Sequence, residues 1–236
     1  MFVSLATALR RRDRQSESGL TIMEALVAII MIAIIGAMIT PPIIIAVATR
    51  LQNQRAQQAY QLAQGEIDRV RGLVDNGEHS PDRLPEAIGD GPLQDFAAPT
   101  GAIGDLQSVN DAEDSYDGDA IAANSALPID VTGDGEADFL MQSFRTEGVT
   151  SESEENGLDR PTSFSVGVRV YAVLDDLNDV PWNNLETTEA SIRLTSGDND
   201  QRTNPLAVLY SNINWSDTSD SLCEFQSPNG GCDGNP

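Results

Sequence analysis

Hydrophobic and polar positions divide the chain into three regimes. Between Glu24 and Arg50 no residue carries a charge, and residues 25–49 are mostly Ile, Ala, Val and Met. As a helix, such a run spans about 37 Å at a rise of ~1.5 Å per residue, enough to cross a hydrocarbon core of roughly 30 Å with some tilt. From residue 50 the pattern changes. Tyr60, Ala63, Ile67, Val70 and Val74 follow steps of three and four, the spacing of one apolar stripe on an amphipathic helix. Gln52, Gln54, Arg55, Gln57, Gln58, Glu66, Asp68, Arg69 and Arg71 fill the other positions. Gly72 and Gly77 loosen the end of this helix and Pro81 closes it.

The third regime has a different period. Residues 80–124 are rich in Gly, Pro, Asp and Ala, without periodicity, and predict a long loop. Strand-like runs follow at 139–144, 164–174, 191–195 and 206–210. In the second, Phe164, Val166, Val168, Val170, Ala172 and Leu174 alternate with Ser165, Gly167, Arg169 and Tyr171, the period of a strand with one buried face. Turn-rich segments separate the runs and no helical period intervenes, which predicts an antiparallel sheet. The fold class expected is therefore α+β.

The first nineteen residues are not part of the span. Arg10, Arg11, Arg12 and Arg14 precede it, and the positive-inside rule places that side in the cytoplasm. An ordinary secretory signal has a shorter apolar region followed by a small-residue cleavage site. Here the run is longer, and the small residue, Gly19, comes before it. A plain signal anchor would explain most of this, but not Glu24. A carboxylate entering a bilayer costs on the order of 2.5–3.5 kcal/mol and needs a partner. Cleavage after Gly19 would create one, a free α-amino group at Leu20 on a neighbouring subunit.

Gly19-Leu20-Thr21-Ile22-Met23-Glu24-Ala25-Leu26-Val27-Ala28 resembles the cleavage and methylation motif of type IV prepilins and type II secretion pseudopilins. The resemblance implies a leader, residues 1–19, removed by a prepilin peptidase that cuts between Gly19 and Leu20 and methylates the new N-terminus. It implies Glu24 as the glutamate of filament assembly. Leu20 departs from the more usual phenylalanine. Pro41 falls at the twenty-second position after the cut, where type IV pilins often carry a proline. Such a residue removes a helical hydrogen bond and bends or loosens the helix. The stretch from Pro41 to Ala59, with residues 63–71, is similar to the hormogonium polysaccharide secretion pseudopilins of filamentous cyanobacteria, their B-type members in particular. That likeness covers roughly the first third of the chain and implies a pseudopilus serving polysaccharide export and gliding motility.

The domain plan follows. Residues 20–49 form a transmembrane and filament-core helix, residues 50–78 continue it as an amphipathic stalk, and residues 79–236 form an acidic extracytoplasmic domain. The pilin-like architecture expected is a long N-terminal helix whose stripe lies on an antiparallel sheet of three to five strands. The implied partners are the prepilin peptidase, other pilins or pseudopilins and the inner-membrane assembly platform. Before assembly the chain would cross the inner membrane once, with its domain periplasmic or extracellular.

Charge narrows the partners further. The chain has a formal net charge of −23, and all 14 of its basic residues are arginine. Residues 80–236 hold 6 Arg against 30 Asp and Glu, a net of −24. Such a surface repels nucleic acid, and with it the DNA-uptake role of some pseudopilins, but attracts divalent cations and basic partners. Solubility alone is the plainer account of the acidity.

One run has the layout of a cation loop. Asp130, Thr132, Asp134, Glu136 and Asp138 alternate, with Gly135 just after the third. Calcium takes 6–8 oxygens, and glycine allows the sharp turn around it. The run resembles the Asp-rich loops of EF-hand-like and propeller-repeat calcium sites, but position twelve is Met141 where an EF-hand has Glu. A solvated acidic turn has the same composition. A second acidic run, residues 111–119, is a weaker candidate.

Cys223 and Cys232 enclose a turn-rich loop. Outside the cytoplasm the compartment permits a disulfide, which would contribute roughly 2–3 kcal/mol; free thiols are the alternative. The C-terminal disulfide loop of many type IV pilins is what the resemblance adds. His79 is the only histidine, and no G-x-S-x-G, H-E-x-x-H or Walker-type run is present, so no catalytic role is assigned. Besides a pseudopilin, the sequence allows a minor type IV pilin, or a filament-tip adhesin with an aromatic patch around Trp182 or Trp215.

Overall fold

The computed structural model describes residues 21–89, 91–108, 121–150, 160–174, 176–191 and 198–215. Its first element is one helix, α1, Ile22–Asp75. The apolar run and the amphipathic stretch share this helix because nothing between them stops it. Pro41 and Pro42 lie inside it. Lacking N–H groups, they leave the carbonyls of Ala37 and Met38 without the usual helical donors. The helix ends in a Schellman cap. Glu78 N–H donates to Leu73 O at 2.8 Å and Gly77 N–H to Val74 O at 3.0 Å, with Gly77 in the left-handed region at φ 68°.

The chain divides into two units, Met1–Ala48 and Thr49–Pro236. In the first, the helical side chains are exposed throughout residues 26–47. The second is built on a sheet with strands β1 (Gly101–Ala102), β2 (Gln107–Ser108), β3 (Ser125–Asp130), β4 (Phe139–Arg145), β5 (Val149–Thr150), β6 (Pro161–Ala172) and β7 (Ala207–Asn214). A short helix, α2, Asp198–Thr203, precedes the last strand.

The sheet is mixed, which corrects the all-antiparallel expectation. β3, β4, β6 and β7 form antiparallel neighbours in that order. β1 and β2 instead run parallel to β3 along its outer edge. The chain follows that edge, leaves it at Ser108 and enters β3 at Ser125 in the same direction. β1, β2 and a 3-10 turn, Leu93–Asp95, all come from the stretch expected to be loop. β3 also escapes sequence reading, because Pro128 sits in it and proline argues against a central strand. Most of the expected strand at 191–195 lies outside the described residues.

One face of the sheet receives the second half of α1. Ala59, Ala63, Ile67, Val70, Leu73 and Val74 pack with Ile129, Phe139, Met141, Phe164, Val166, Val168 and Val170 in one core. The buried face is wider than the stripe read from the sequence, since it adds Ala56, Ala59 and Leu73, and it differs in two further residues. Tyr60 is 53% exposed, and Glu66, assigned to the polar face, is buried.

The other face is not open to solvent either. Leu93, Phe96 and Ile88 cover Phe144, while Leu177, Val180, Trp182 and Leu185 cover Leu140 and Tyr171. The alternation in β6 is real, but both of its faces are covered, and Arg169 and Tyr171 are buried.

Candidate functional site

The largest feature with no internal role is the surface of α1 in the first unit. Ile29, Ile32, Ile35, Met38, Ile44 and Val47 are all at least half exposed. A helix apolar on all sides with no protein around it requires lipid or other helices. α1 is long and apolar enough to cross a membrane. Thr40 bonds back to Gly36 O at 2.7 Å, which places its hydroxyl within the helix rather than against the apolar surroundings.

Glu24 stands in the first turn of α1, exposed, and Thr21 Oγ1 accepts its N–H at 3.3 Å. Threonine at the start of the helix thus supplies an N-terminal cap. An acid in the first turn is also favoured by the helix dipole. The first effect satisfies the backbone N–H of Glu24, and the second favours its carboxylate at the helix entrance. Pro41 is exposed on the same apolar surface. Gly19 and Leu20, the pair expected to be cut, lie outside the described residues, as do Cys223, Cys232 and the acidic run 111–119.

No family model matches the chain, and no curated protein or solved structure matches it.

The Asp-rich loop has a definite internal geometry. Asp130, the last residue of β3, is buried, and its carboxylate turns into the loop. Its Oδ1 accepts from Gly133 N at 2.6 Å and its Oδ2 from Gly135 N at 2.8 Å. From the far end, Asp138 Oδ2 accepts from Val131 N at 2.8 Å and Thr132 N at 2.9 Å. Asp134 Oδ1 accepts from Glu136 N. Gly133 and Gly135 take positive φ, 79° and 86°, which glycine alone adopts readily. The Gly135 N–H foremost, then those of Gly133 and Asp134 and the Thr132 hydroxyl, hold the Asp130 carboxyl below the usual carboxylate range against the opposing effect of burial.

The same geometry bears on a cation. Among the described residues no three His, Cys, Asp or Glu side chains gather closely enough to hold a metal. The carboxylates of Asp130, Asp134 and Asp138 instead bind the loop's own N–H groups. Calcium would have to draw Asp134, Glu136 and the second oxygen of Asp138 toward one centre.

Two buried polar groups escape sequence reasoning. Arg169, in the middle of β6, has no measurable exposure. Its Nη1 donates to Phe96 O at 2.9 Å and Ala97 O at 3.2 Å, and its Nη2 to Leu93 O at 3.1 Å and Gln94 O at 3.3 Å. The guanidinium lies 4.8 Å from the Phe144 ring centroid. Arg169 thus holds the segment 93–97 onto the sheet, helped by Gln142, whose Nε2 donates to Ala97 O at 3.0 Å. The second group is Glu66, paired with Arg69 at 2.7 Å on the helix and joined to the sheet through Ser143. Neither carries a local signal, since each sits at a position its own period calls polar.

His79 lies in the coil after α1, as its neighbours suggest, but not at the surface. It is fully buried, edge-on to Trp215 with ring centroids 4.8 Å apart. Trp215 packs against the main core and Trp182 against the second cluster, each partly buried.

Proposed function

We propose that this chain is a pilin-like structural subunit, a pseudopilin, that assembles through its N-terminal helix into a type IV pilus-like or type II secretion-like filament. The observation that carries the reading is the exposed, charge-free surface of α1 between Glu24 and Arg50, on the same helix whose second half binds the sheet. A helix of this kind serves as a membrane anchor before assembly and as packing surface afterwards. Glu24 supports the second role. A carboxylate at the entrance of an apolar helix finds its counter-charge in the N-terminal amine of a neighbouring subunit. On this reading residues 1–19 face the cytoplasm, are removed by a prepilin peptidase, and the sheet domain lies outside the membrane.

The finer assignment, to a pseudopilus for polysaccharide export and gliding motility, rests on the likeness within residues 41–71. The same reading places calcium at the loop 130–138, supported by the exposed carboxylates of Asp134 and Glu136. Trp182 and Trp215 are each partly buried against the domain, which weighs against the tip-adhesin alternative.

The test is the intact mass and N-terminal sequence of the protein from membranes, with and without the prepilin peptidase. A mature chain starting at methylated Leu20 only when the peptidase is present is the expected result. A chain still starting at Met1 in both overturns it. Glu24→Gln should leave processing and membrane insertion intact and abolish recovery of sheared filaments.

A further inference from the structure

The two edges of the sheet differ. One is formed by β1 and β2, two residues each, too short to template another strand. The other is β7, eight residues long and paired with β6 without a register shift from Ser163↔Asn214 to Val170↔Ala207. Trp215 N–H donates to Thr162 O, which fixes the parity of the ladder. In an antiparallel pair alternate residues bond the partner strand, so Leu209, Ser211 and Ile213 face β6. The backbone N–H and C=O groups of Val208, Tyr210 and Asn212 face outward. Among the described residues no strand pairs with that side.

Exposed edges are ordinarily blunted by lysine, proline, a bulge or brevity. Ala207-Val208-Leu209-Tyr210-Ser211-Asn212-Ile213-Asn214 has none of these. Charge selects the occupant. The chain carries −23, so two copies repel over most of their surface, but β7 is free of charge. Beside it, Arg71 donates to Ser211 Oγ at 2.8 Å and lies 3.4 Å from Asp68. Both of these side chains are about half exposed. An acid and a base on one rim complement themselves across a two-fold axis, as an isologous contact requires.

We propose that β7 pairs edge to edge, antiparallel, with β7 of a second copy of this chain. The two sheets then form one continuous sheet, and Arg71 meets the partner's Asp68 while Asp68 meets the partner's Arg71. The interface lies wholly in the second unit and does not rest on the filament reading. Because α1 runs along β7 in the same direction, with Ala56 near Leu206 and Arg71 bonded to Ser211, the two-fold sets the two copies' helices antiparallel. The pair therefore joins copies of opposite orientation and not neighbours within one filament.

The experiment is backbone hydrogen exchange on the full chain in detergent micelles, at two concentrations about a hundredfold apart. The Tyr210 and Asn212 amides should exchange at least about tenfold more slowly at the higher concentration, since mass action protects only the paired edge. The Leu209 and Ser211 amides, bonded to β6, should not change. Asn212→Pro removes one outward N–H where an edge strand tolerates proline and should abolish the concentration dependence. Asn212→Lys keeps every backbone group, should do the same, and decides the matter if the proline disturbs β7. Fast exchange of the outward amides at both concentrations overturns the proposal. So does equal protection at both, which would mean that the chain covers its own edge, and so does protection that survives both substitutions. Association through α1 alone leaves these amides fast, so this proposal and the filament reading fail separately.

Discussion

Ser143 on β4 donates its hydroxyl to Glu66 on α1, Oγ to Oε1 at 3.0 Å, inside the helix–sheet core. The bond makes a charged group part of the packing. Arg69 holds the same carboxylate in a two-pronged pair, 2.7 and 2.9 Å, and donates on to Arg83 O at 3.3 Å. The helix is therefore fixed in register on the sheet by a buried polar contact within a mostly apolar interface, with the Arg71–Ser211 bond at its rim.

Removing one partner should cost more than removing the contact. Glu66→Ala leaves Arg69 beside apolar side chains and is expected to lower stability by about 2–4 kcal/mol, while Ser143→Ala costs about 1 kcal/mol. Urea unfolding of the two single variants and the double variant checks this. A double-mutant coupling of at least about 0.5 kcal/mol is expected, because the residues share a bond.

Arg169 should act as the fastener of the segment 93–97. Arg169→Met removes the guanidinium from the carbonyls of Leu93, Gln94, Phe96 and Ala97 and leaves only Ala97 O bonded to the sheet, through Gln142 Nε2 at 3.0 Å, at an expected cost of about 3–5 kcal/mol. Arg169→Lys recovers only part, since an ammonium cannot reproduce the fork. Limited proteolysis should move the first cut of the folded domain to residues 93–97 in both variants.

Two glycines are expected to resist any side chain. A Cβ on Gly167 would meet Phe144 Cε2 at 2.7 Å and Cζ at 2.8 Å, with Tyr210 Cε1 at 3.1 Å. Gly167→Ala should cost about 1–3 kcal/mol by overpacking. Gly148→Ala should be worse. Gly148 has φ 77°, and its Cβ would collide with the Ser163 carbonyl oxygen, a backbone atom that cannot swing away. Thermal melts of the two variants give the order.

The Asp130 loop predicts an acid limb in the stability profile. The folded carboxyl is held below its ordinary range, so its contribution is fully present above the unfolded value, about 3.9. That contribution is lost as pH falls through the lower, folded value. Asp130→Asn should flatten this limb, measured by urea midpoints at stepped pH in chelator. Calcium is tested on the same material. A rise in melting temperature on adding Ca²⁺, lost in an Asp134→Asn, Glu136→Gln variant, supports the ion. An unchanged melt leaves a loop that caps itself.

The sequence by itself determined the elements that depend on local pattern. An uncharged run longer than a bilayer is thick and a three–four apolar stripe define one helix. A period-two run defines β6, and Gly72, Gly77 and Pro81 mark where the helix gives out, although its end at Asp75, with Gly77 at positive φ, is a finding of the structure. Each of these patterns follows from residues that are neighbours along the chain. Only the tertiary structure decided the rest. Whether the polar face of β6 meets water depends on where the segment 84–97 lies, so Arg169 is a core residue although its period marks it as surface. Glu66 is buried because Ser143, 77 residues away, offers it a bond. β1 and β2 are strands because β3 stands beside them, and two residues have no period of their own. The alternating carboxylates of 130–138 fit a cation loop by composition. The directions of their oxygens, set by backbone N–H groups within the turn, are a property of the folded chain alone.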